Sequence, residues 1–233
     1  MHGKLLIGGM ERASFIDFPG RVSAVVFTRA CNLRCGYCHN PVLVREAEGL
    51  SLDEDQALAF LNERRGLLGG VVVSGGEPTL QPEALRAFLR RVRAMGFATK
   101  LDTNGTRPEV LALLIEESLV DYVALDFKDL PEGYAELCDM REEAAVIESS
   151  LAILRRSGLA YELRTTVILP RHDEARLTAM AGRLQRGERW FLQRYRPGDV
   201  LAQDADFTAP DRESLNQLAE RFRAEFGLDC AAR

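Results

Sequence analysis

The sequence predicts an α/β fold, a partly open parallel (β/α)6 barrel. Three observations carry this. Short apolar runs alternate with amphipathic segments, the pattern of parallel strands joined by right-handed helical crossovers. Six such units are too few to close the eight-unit barrel. Polar residues gather at the carboxyl ends of the runs, where parallel α/β proteins keep their functional groups. The 233 residues, 46% hydrophobic and 28% charged, suffice for a sizeable core. No repeat, low-complexity stretch or linker divides them, so residues 1–233 read as one domain.

Val22 to Thr28 reads as the first strand, followed by a cysteine-rich loop over residues 31–40. Ser51-Leu-Asp-Glu54 has the capping-box pattern and predicts a helix to about Arg65. Gly70 to Ser74 is a short buried strand ending at Gly75-Gly-Glu-Pro78. Pro82 suits a first helical turn, and Glu83 to Met95 repeats apolar residues at helical spacing. Ala98 to Asp102 is the third strand, closed by Thr103-Asn-Gly105, and Pro108 opens a helix to about Ser118. Tyr122 to Asp126 is the fourth strand, and a helix near Glu142 to Arg156 stops at Gly158. Tyr161 to Leu169 is the fifth strand, halted by Pro170. A helix over Glu174 to Gln185, a strand over Trp190 to Tyr195 and a helix over Arg212 to Phe226 complete the pattern.

Composition excludes several functions. A net charge of −5 argues against a nucleic-acid binder. No apolar run approaches the roughly 18 residues of a membrane span, and the glycine-rich start lacks a signal peptide's apolar core. Five cysteines, three of them clustered, do not form a disulfide framework, so a reducing cytoplasm is the expected setting.

The chemistry starts at Cys31-Asn-Leu-Arg-Cys35-Gly-Tyr-Cys38-His39-Asn40. Three thiolates on one short loop select zinc, copper(I) or an iron–sulfur cluster. A cubane held by three ligands keeps one iron open. Structural zinc with His39 as fourth ligand is the alternative. Cys138 in a loop and Cys230 at the tail read as incidental thiols, and His172 carries no signal. Gly75 and Gly76 permit close backbone approach, and their carbonyls with Glu77 suit an ammonium group; an ordinary strand-to-helix turn is the plain reading. Asp102, Thr103 and Asn104 suit ribose hydroxyls or a cation, or simply a turn. Asp126 and Lys128 fit a surface ion pair. Arg164 interrupts an apolar strand and calls for a carboxylate, with Asp126 or Glu162 available. Gln193, Arg194 and Arg196 end the last strand. All six strand ends are expected around one mouth.

Cys-x3-Cys-x2-Cys with Tyr37 before the third cysteine, together with Gly-Gly-Glu-Pro, resembles the radical S-adenosylmethionine superfamily. Ser14-Phe-Ile-Asp-Phe-Pro-Gly20, Val26-Phe-Thr-Arg-Ala-Cys-Asn-Leu-Arg-Cys35 and Cys38-His-Asn-Pro41 resemble its glycyl-radical-enzyme activating enzymes. Those of anaerobic ribonucleoside-triphosphate reductase are the nearest match and those of pyruvate formate-lyase the next. The likeness runs from about Ile7 to Pro170. It implies that Cys31, Cys35 and Cys38 ligate a 4Fe-4S cluster whose open iron is chelated by S-adenosylmethionine. It places Tyr37 near the adenine, Gly75, Gly76 and Glu77 at the methionine amino group, and Lys128 and Arg164 on the carboxylate side. It also places a monovalent cation beside Asp102, Thr103, Asn104 and Asp126. The implied reaction cleaves S-adenosylmethionine reductively and moves a hydrogen from a partner's glycine. The implied partners are a glycyl radical enzyme, a class III ribonucleotide reductase above all, and a flavodoxin- or ferredoxin-type donor. Gln193-Arg-Tyr-Arg196 stands where the pyruvate formate-lyase activators carry a histidine-bearing stretch. Arg171, Arg183, Arg194 and Arg196 are candidates to meet the partner, or a solvated face.

Overall fold

The computed structural model describes residues 3–44, 51–140, 145–202 and 206–233. In chain order the first elements are β1 (Ile7–Phe18), β2 (Arg21–Thr28), α1 (Pro41–Val44), α2 (Glu54–Glu63), β3 (Gly70–Gly75), α3 (Pro82–Ala94), β4 (Ala98–Thr103) and α4 (Pro108–Glu116). Then come β5 (Tyr122–Asp126), α5 (Tyr134–Cys138), α6 (Ala145–Ser157), β6 (Ala160–Val167), α7 (Glu174–Ala181), β7 (Arg189–Arg194), α8 (Arg212–Phe226) and β8 (Asp229–Ala232). They divide into two compact units: Met1–Asn32, Val42–Ala124 and Val146–Ala160 form the first, and Leu33–Pro41, Leu125–Ala145 and Tyr161–Arg233 the second.

In the first unit β1 pairs antiparallel with β2, and β2, β3 and β4 run parallel in chain order. The β-branched run Val71-Val72-Val73 is fully buried, as expected for a strand covered on both faces. Each of those side chains contributes about 1.5–3 kcal/mol of burial. Pro82 occupies the first turn of α3, whose Leu85, Phe88, Leu89 and Val92 recur at helical spacing and are all buried. Phe18, Val25, Val72 and Tyr122 form a further cluster of this core.

The second unit repeats the logic. Phe127 N donates to Arg164 O at 2.9 Å, joining the end of β5 to β6. β6 pairs parallel with β7 and β7 with β8. Trp190 stacks on Phe222 of α8 at 5.6 Å between centroids, and its Nε1 donates to Thr165 Oγ1 at 2.9 Å. Asp173 caps α7 and Asp211 caps α8, which ends at Gly227 in the left-handed region.

The strand–helix alternation stands, with a mostly parallel sheet. The structure departs from the sequence reading in three places. β1, β8 and α5 were not foreseen. The helix after Ser51 starts at Glu54, and its cap is Asp53, whose carboxylate accepts from Asp55 N at 2.8 Å. Glu54 turns inward instead, accepting from Leu5 N and pairing with Arg91 at 2.8 Å. Cys138 ends a helix and is not in a loop. The expected start of a helix at Glu142 lies outside the described residues, and α6 is described from Ala145. Among the described residues no helix is long and apolar enough to cross a membrane.

Candidate functional site

In the first unit the polar ends of β2, β3 and β4 are stitched together. Gly76 N donates to Thr28 O at 2.9 Å and Glu77 N to Ala30 O at 2.8 Å, so the Gly-Gly-Glu segment lies against the residues that lead into Cys31. A Cβ on Gly76 would stand 1.9 Å from Ala30 O, and Gly75 has φ +115°. Only glycine permits both. Glu77 is buried, and its carboxylate accepts from Thr79 N (3.0 Å), Thr79 Oγ1 (2.6 Å), Thr103 Oγ1 (2.8 Å) and Asn104 N (2.7 Å). It is a brace between the ends of β3 and β4. Burial pushes its carboxyl upward, against those four donors.

Asn104 is fixed in turn by Thr106, whose N and Oγ1 donate to Oδ1 at 3.0 and 2.7 Å. Its Nδ2 donates to Asn32 Oδ1 at 3.0 Å and lies 3.9 Å from Cys31 Sγ. Asp102 faces Lys100 two residues back on the same side of β4, with Nζ 3.2 Å from Oδ1. Lys100 is itself buried, donates to Asp17 O and lies over the Tyr122 ring at 5.7 Å. The sequence reading missed this lysine, which brings a positive charge to Asp102 from within the chain.

In the second unit Cys38 N donates to Cys35 O at 3.0 Å, a tight turn between two of the three cysteines. Arg34 N donates to Cys138 O at 2.7 Å, which brings the residue before Cys35 against the end of α5. Cys138 holds the Cys35 thiol down, to about 7, while burial pushes Cys38 up. Tyr37 is buried, edge-on to Phe207 at 6.4 Å between centroids and 6.0 Å from Lys128 Nζ. Asp126 takes two cations: Lys128 Nζ at 2.9 Å on Oδ2 and Arg164 at 3.3 Å on Oδ1. Burial would raise its carboxyl, but Lys128 and then Arg164 outweigh that and hold it below the usual range. Lys128 has a side chain only 13% exposed, so this is no surface pair. Glu162, the other candidate partner for Arg164, pairs with Arg233 at 3.7 Å.

Two further residues that the sequence did not mark hold Lys128 in place. Tyr134 Oη accepts from Lys128 N at 2.9 Å, and His172 Nε2 bonds Lys128 O at 2.9 Å while Nδ1 accepts from Ile168 N. Behind them the buried Asp129 binds Arg171 at 2.8 Å and Arg176 at 2.5 Å. Arg171, a candidate for meeting a partner, is thus held by Asp129 and by Glu136 at 2.6 Å.

The donor chemistry of the cysteine loop suits a cluster better than a single zinc ion. His39, the alternative fourth ligand, bonds Arg196 O through Nε2 at 2.8 Å and packs on Tyr195. Among the described residues no three His, Cys, Asp or Glu side chains gather on one ion-sized point. Three soft thiols on one loop are the donor type that iron–sulfur clusters take.

A sheet of parallel strands with a three-cysteine loop after β2 and a glycine-rich end on β3 defines the class. The chain belongs to the Radical SAM superfamily, whose family model matches residues 25–183. Within it, the chain falls among the glycyl-radical enzyme activating enzymes. It is 33% identical over 223 residues to a Methanocaldococcus jannaschii protein provisionally named a glycyl-radical enzyme activating enzyme, covering 93% of this chain and 90% of that one. It is 36% identical over 135 residues to the pyruvate formate-lyase-activating enzyme of Clostridium pasteurianum, covering 55% of each. Among solved structures, a radical SAM methyltransferase from Sphaerobacter thermophilus superimposes with TM-score 0.72 at 20% identity, over 95% of this chain and 68% of that one. Streptococcus suis SuiB bound to S-adenosylmethionine does so with TM-score 0.64 at 15% identity, over 88% and 48%. These last two likenesses concern the fold.

Proposed function

We propose that this enzyme generates the glycyl radical of an anaerobic ribonucleoside-triphosphate reductase, with a flavodoxin- or ferredoxin-type protein as electron donor. The observation that carries the reading is the pair of backbone bonds from Gly76 and Glu77 to Thr28 and Ala30, which lock the second motif of the superfamily against the start of its cysteine loop. In this reading Cys31, Cys35 and Cys38 hold a 4Fe-4S cluster. The cluster and S-adenosylmethionine, when bound, supply one-electron reductive cleavage of a sulfonium and a carbon radical able to take hydrogen from glycine.

The chain's own residues bind and orient. The Gly75 and Gly76 carbonyls offer acceptors to the cosubstrate's ammonium, and Glu77 keeps that backbone rigid through its four hydrogen bonds. Lys128 and Arg164, tied to Asp126, offer charge-assisted donors to its carboxylate. Tyr37 offers an aromatic face for the adenine, and Asp102, Thr103 and Asn104 serve the ribose. Lys100 supplies at Asp102 the charge that a monovalent cation would otherwise bring.

The choice of target rests on Gln193-Arg-Tyr-Arg196, which stands where pyruvate formate-lyase activators carry a histidine-bearing stretch. The likeness to the pyruvate formate-lyase activators spans about half the chain, and that to the Methanocaldococcus activating enzyme, which runs nearly end to end, fits either target. A second reading, action on a small nucleoside precursor, draws on 36% identity over 48% of this chain to the 7-carboxy-7-deazaguanine synthase of Methanopyrus kandleri. The test is anaerobic assay of the reconstituted protein with a class III reductase, with pyruvate formate-lyase and with no partner. A glycyl radical on the reductase supports the reading. 5′-Deoxyadenosine without a glycyl radical on either enzyme refutes it.

A further inference from the structure

Four arginines of the second unit line one small cavity, about 180 Å³ in volume. Arg194 ends β7, Arg196 lies in the loop after it, Arg212 opens α8 and Arg233 follows β8. Asn216, one turn along α8, adds a side-chain amide to the same wall. The sequence marks Arg194 and Arg196 as a partner surface or a solvated face, and it does not single out Arg212 or Arg233.

The cluster is built, not merely crowded. Arg194 N donates to Arg233 O and Arg233 N to Leu192 O, both at 2.9 Å, which sets two of the arginines side by side. Arg194 Nε donates to Pro210 O at 2.8 Å, and the Arg233 guanidinium lies over the Phe191 ring, 3.2 Å from its centroid. Glu162 faces Arg233 at 3.7 Å. Among the described residues no carboxylate stands within ion-pair distance of Arg194, Arg196 or Arg212. The acids at the start of α8 are engaged elsewhere. Asp211 accepts from Ser214 N at 2.9 Å and Ser214 Oγ at 3.2 Å, and Glu213 accepts from Gln217 at 3.2 Å. Arg212 also puts a cation at a helix start, the end whose dipole favours an anion.

We propose that this pocket binds a phosphoryl anion. A carboxylate brings one charge and two oxygens, which a single arginine satisfies in bidentate fashion. A phosphoryl group brings roughly −1.5 to −2 charges at neutral pH and three acceptor oxygens, enough for several guanidiniums and the Asn216 amide together. Arginine's planar fork matches that geometry. The cavity is smaller than the roughly 300–1,000 Å³ of sites that enclose whole ligands. It therefore takes the phosphoryl group itself, either as the free ion or as the end of a nucleotide that extends outside.

The test is isothermal titration calorimetry of the full-length protein, purified anaerobically, with ionic strength held constant by chloride. The titrants are inorganic phosphate, AMP, ATP and acetate. Wild type should bind phosphate in preference to acetate. Arg196→Gln and Arg212→Gln should each weaken phosphate about tenfold or more, since each removes a charge-assisted donor. Two variants guard against one that folds poorly. Arg12→Gln, which removes the same charge from β1 in the first unit, should bind phosphate as wild type does. AMP or ATP binding tighter than phosphate, and weakened by the same two substitutions, would assign the group to a nucleotide; phosphate binding best would assign it to the free ion. Absence of phosphate binding, or an affinity unchanged in both pocket variants, would overturn the proposal. So would equal loss in Arg12→Gln, which would show an effect of net charge alone. Acetate binding as tightly as phosphate would also overturn it and make the pocket a dock for carboxylates. None of these outcomes bears on the proposed radical chemistry, which uses none of the four arginines.

Discussion

Asp126→Asn is the perturbation whose size the structure constrains best. Asp126 stands between Lys128 at 2.9 Å and Arg164 at 3.3 Å, with side chains 30%, 13% and 14% exposed. The amide keeps the shape and removes the charge, leaving two largely buried cations without it. Removing one partner of a buried ion pair costs about 3–5 kcal/mol, and the partial exposure of Asp126 reduces that to about 2–3 kcal/mol. The assay is urea unfolding of the cluster-free protein across pH. The folded Asp126 carboxyl lies below its unfolded value of 3.8, so its stabilisation is complete above that value and fades as pH falls through the folded one. The gap between wild type and Asp126→Asn should therefore be constant from pH 7 down to about 4 and shrink below. A variant within about 0.5 kcal/mol of wild type at neutral pH, or a gap unchanged in acid, would refute the reasoning.

Other substitutions probe other joints. Glu77→Gln turns an NH2 toward the Asn104 N–H, pairing donor with donor, and should cost about 1–3 kcal/mol in denaturant unfolding; an unchanged midpoint would contradict the brace. Lys100→Met keeps the length and leaves the buried Asp102 without its ammonium, which should cost about 3 kcal/mol. Part of that loss should return in potassium but not tetramethylammonium chloride, and equal melting temperatures in the two salts would contradict it. Asn104→Ala removes an N–H that lies 3.9 Å from Cys31 Sγ. Hydrogen bonds to cluster sulfurs tune the potential, so the reconstituted variant should have a more negative midpoint in an anaerobic redox titration, and no shift would show that the contact is idle.

Much of this was legible in the sequence, for physical reasons. Buried parallel strands such as Gly70–Gly75 are near-continuous β-branched runs, and Pro82, Pro108 and Gly158 punctuate helices by their backbone chemistry. β1 was illegible because Gly8-Gly9 and the exposed Glu11 and Arg12 break its alternation, and its pairing with β2 slips register. β8 is four residues long, too short for any period to register, and is held by its place beside β7. At the site, the cysteines stand out by spacing as a soft-metal loop, whereas Gly-Gly-Glu alone reads as an ordinary turn and gains its role only through resemblance to the superfamily's second motif. Lys100, Tyr134 and His172 could not, since each acts through a contact that no local periodicity marks: Asp17 O for Lys100, and the backbone of Lys128 for Tyr134 and His172. Arg164 lies between these cases. Its position in an apolar strand announced a carboxylate, and the fold supplied Asp126.

The proposed reaction places a radical on the glycine of a ribonucleotide reductase. Its most direct test is electron paramagnetic resonance of a class III reductase mixed anaerobically with the reconstituted, reduced protein and S-adenosylmethionine. The account predicts a glycyl doublet on the reductase that is absent without S-adenosylmethionine and lost in Cys31→Ala, Cys35→Ala and Cys38→Ala. A doublet on pyruvate formate-lyase with none on the reductase, or no doublet on either enzyme despite 5′-deoxyadenosine release, would contradict it.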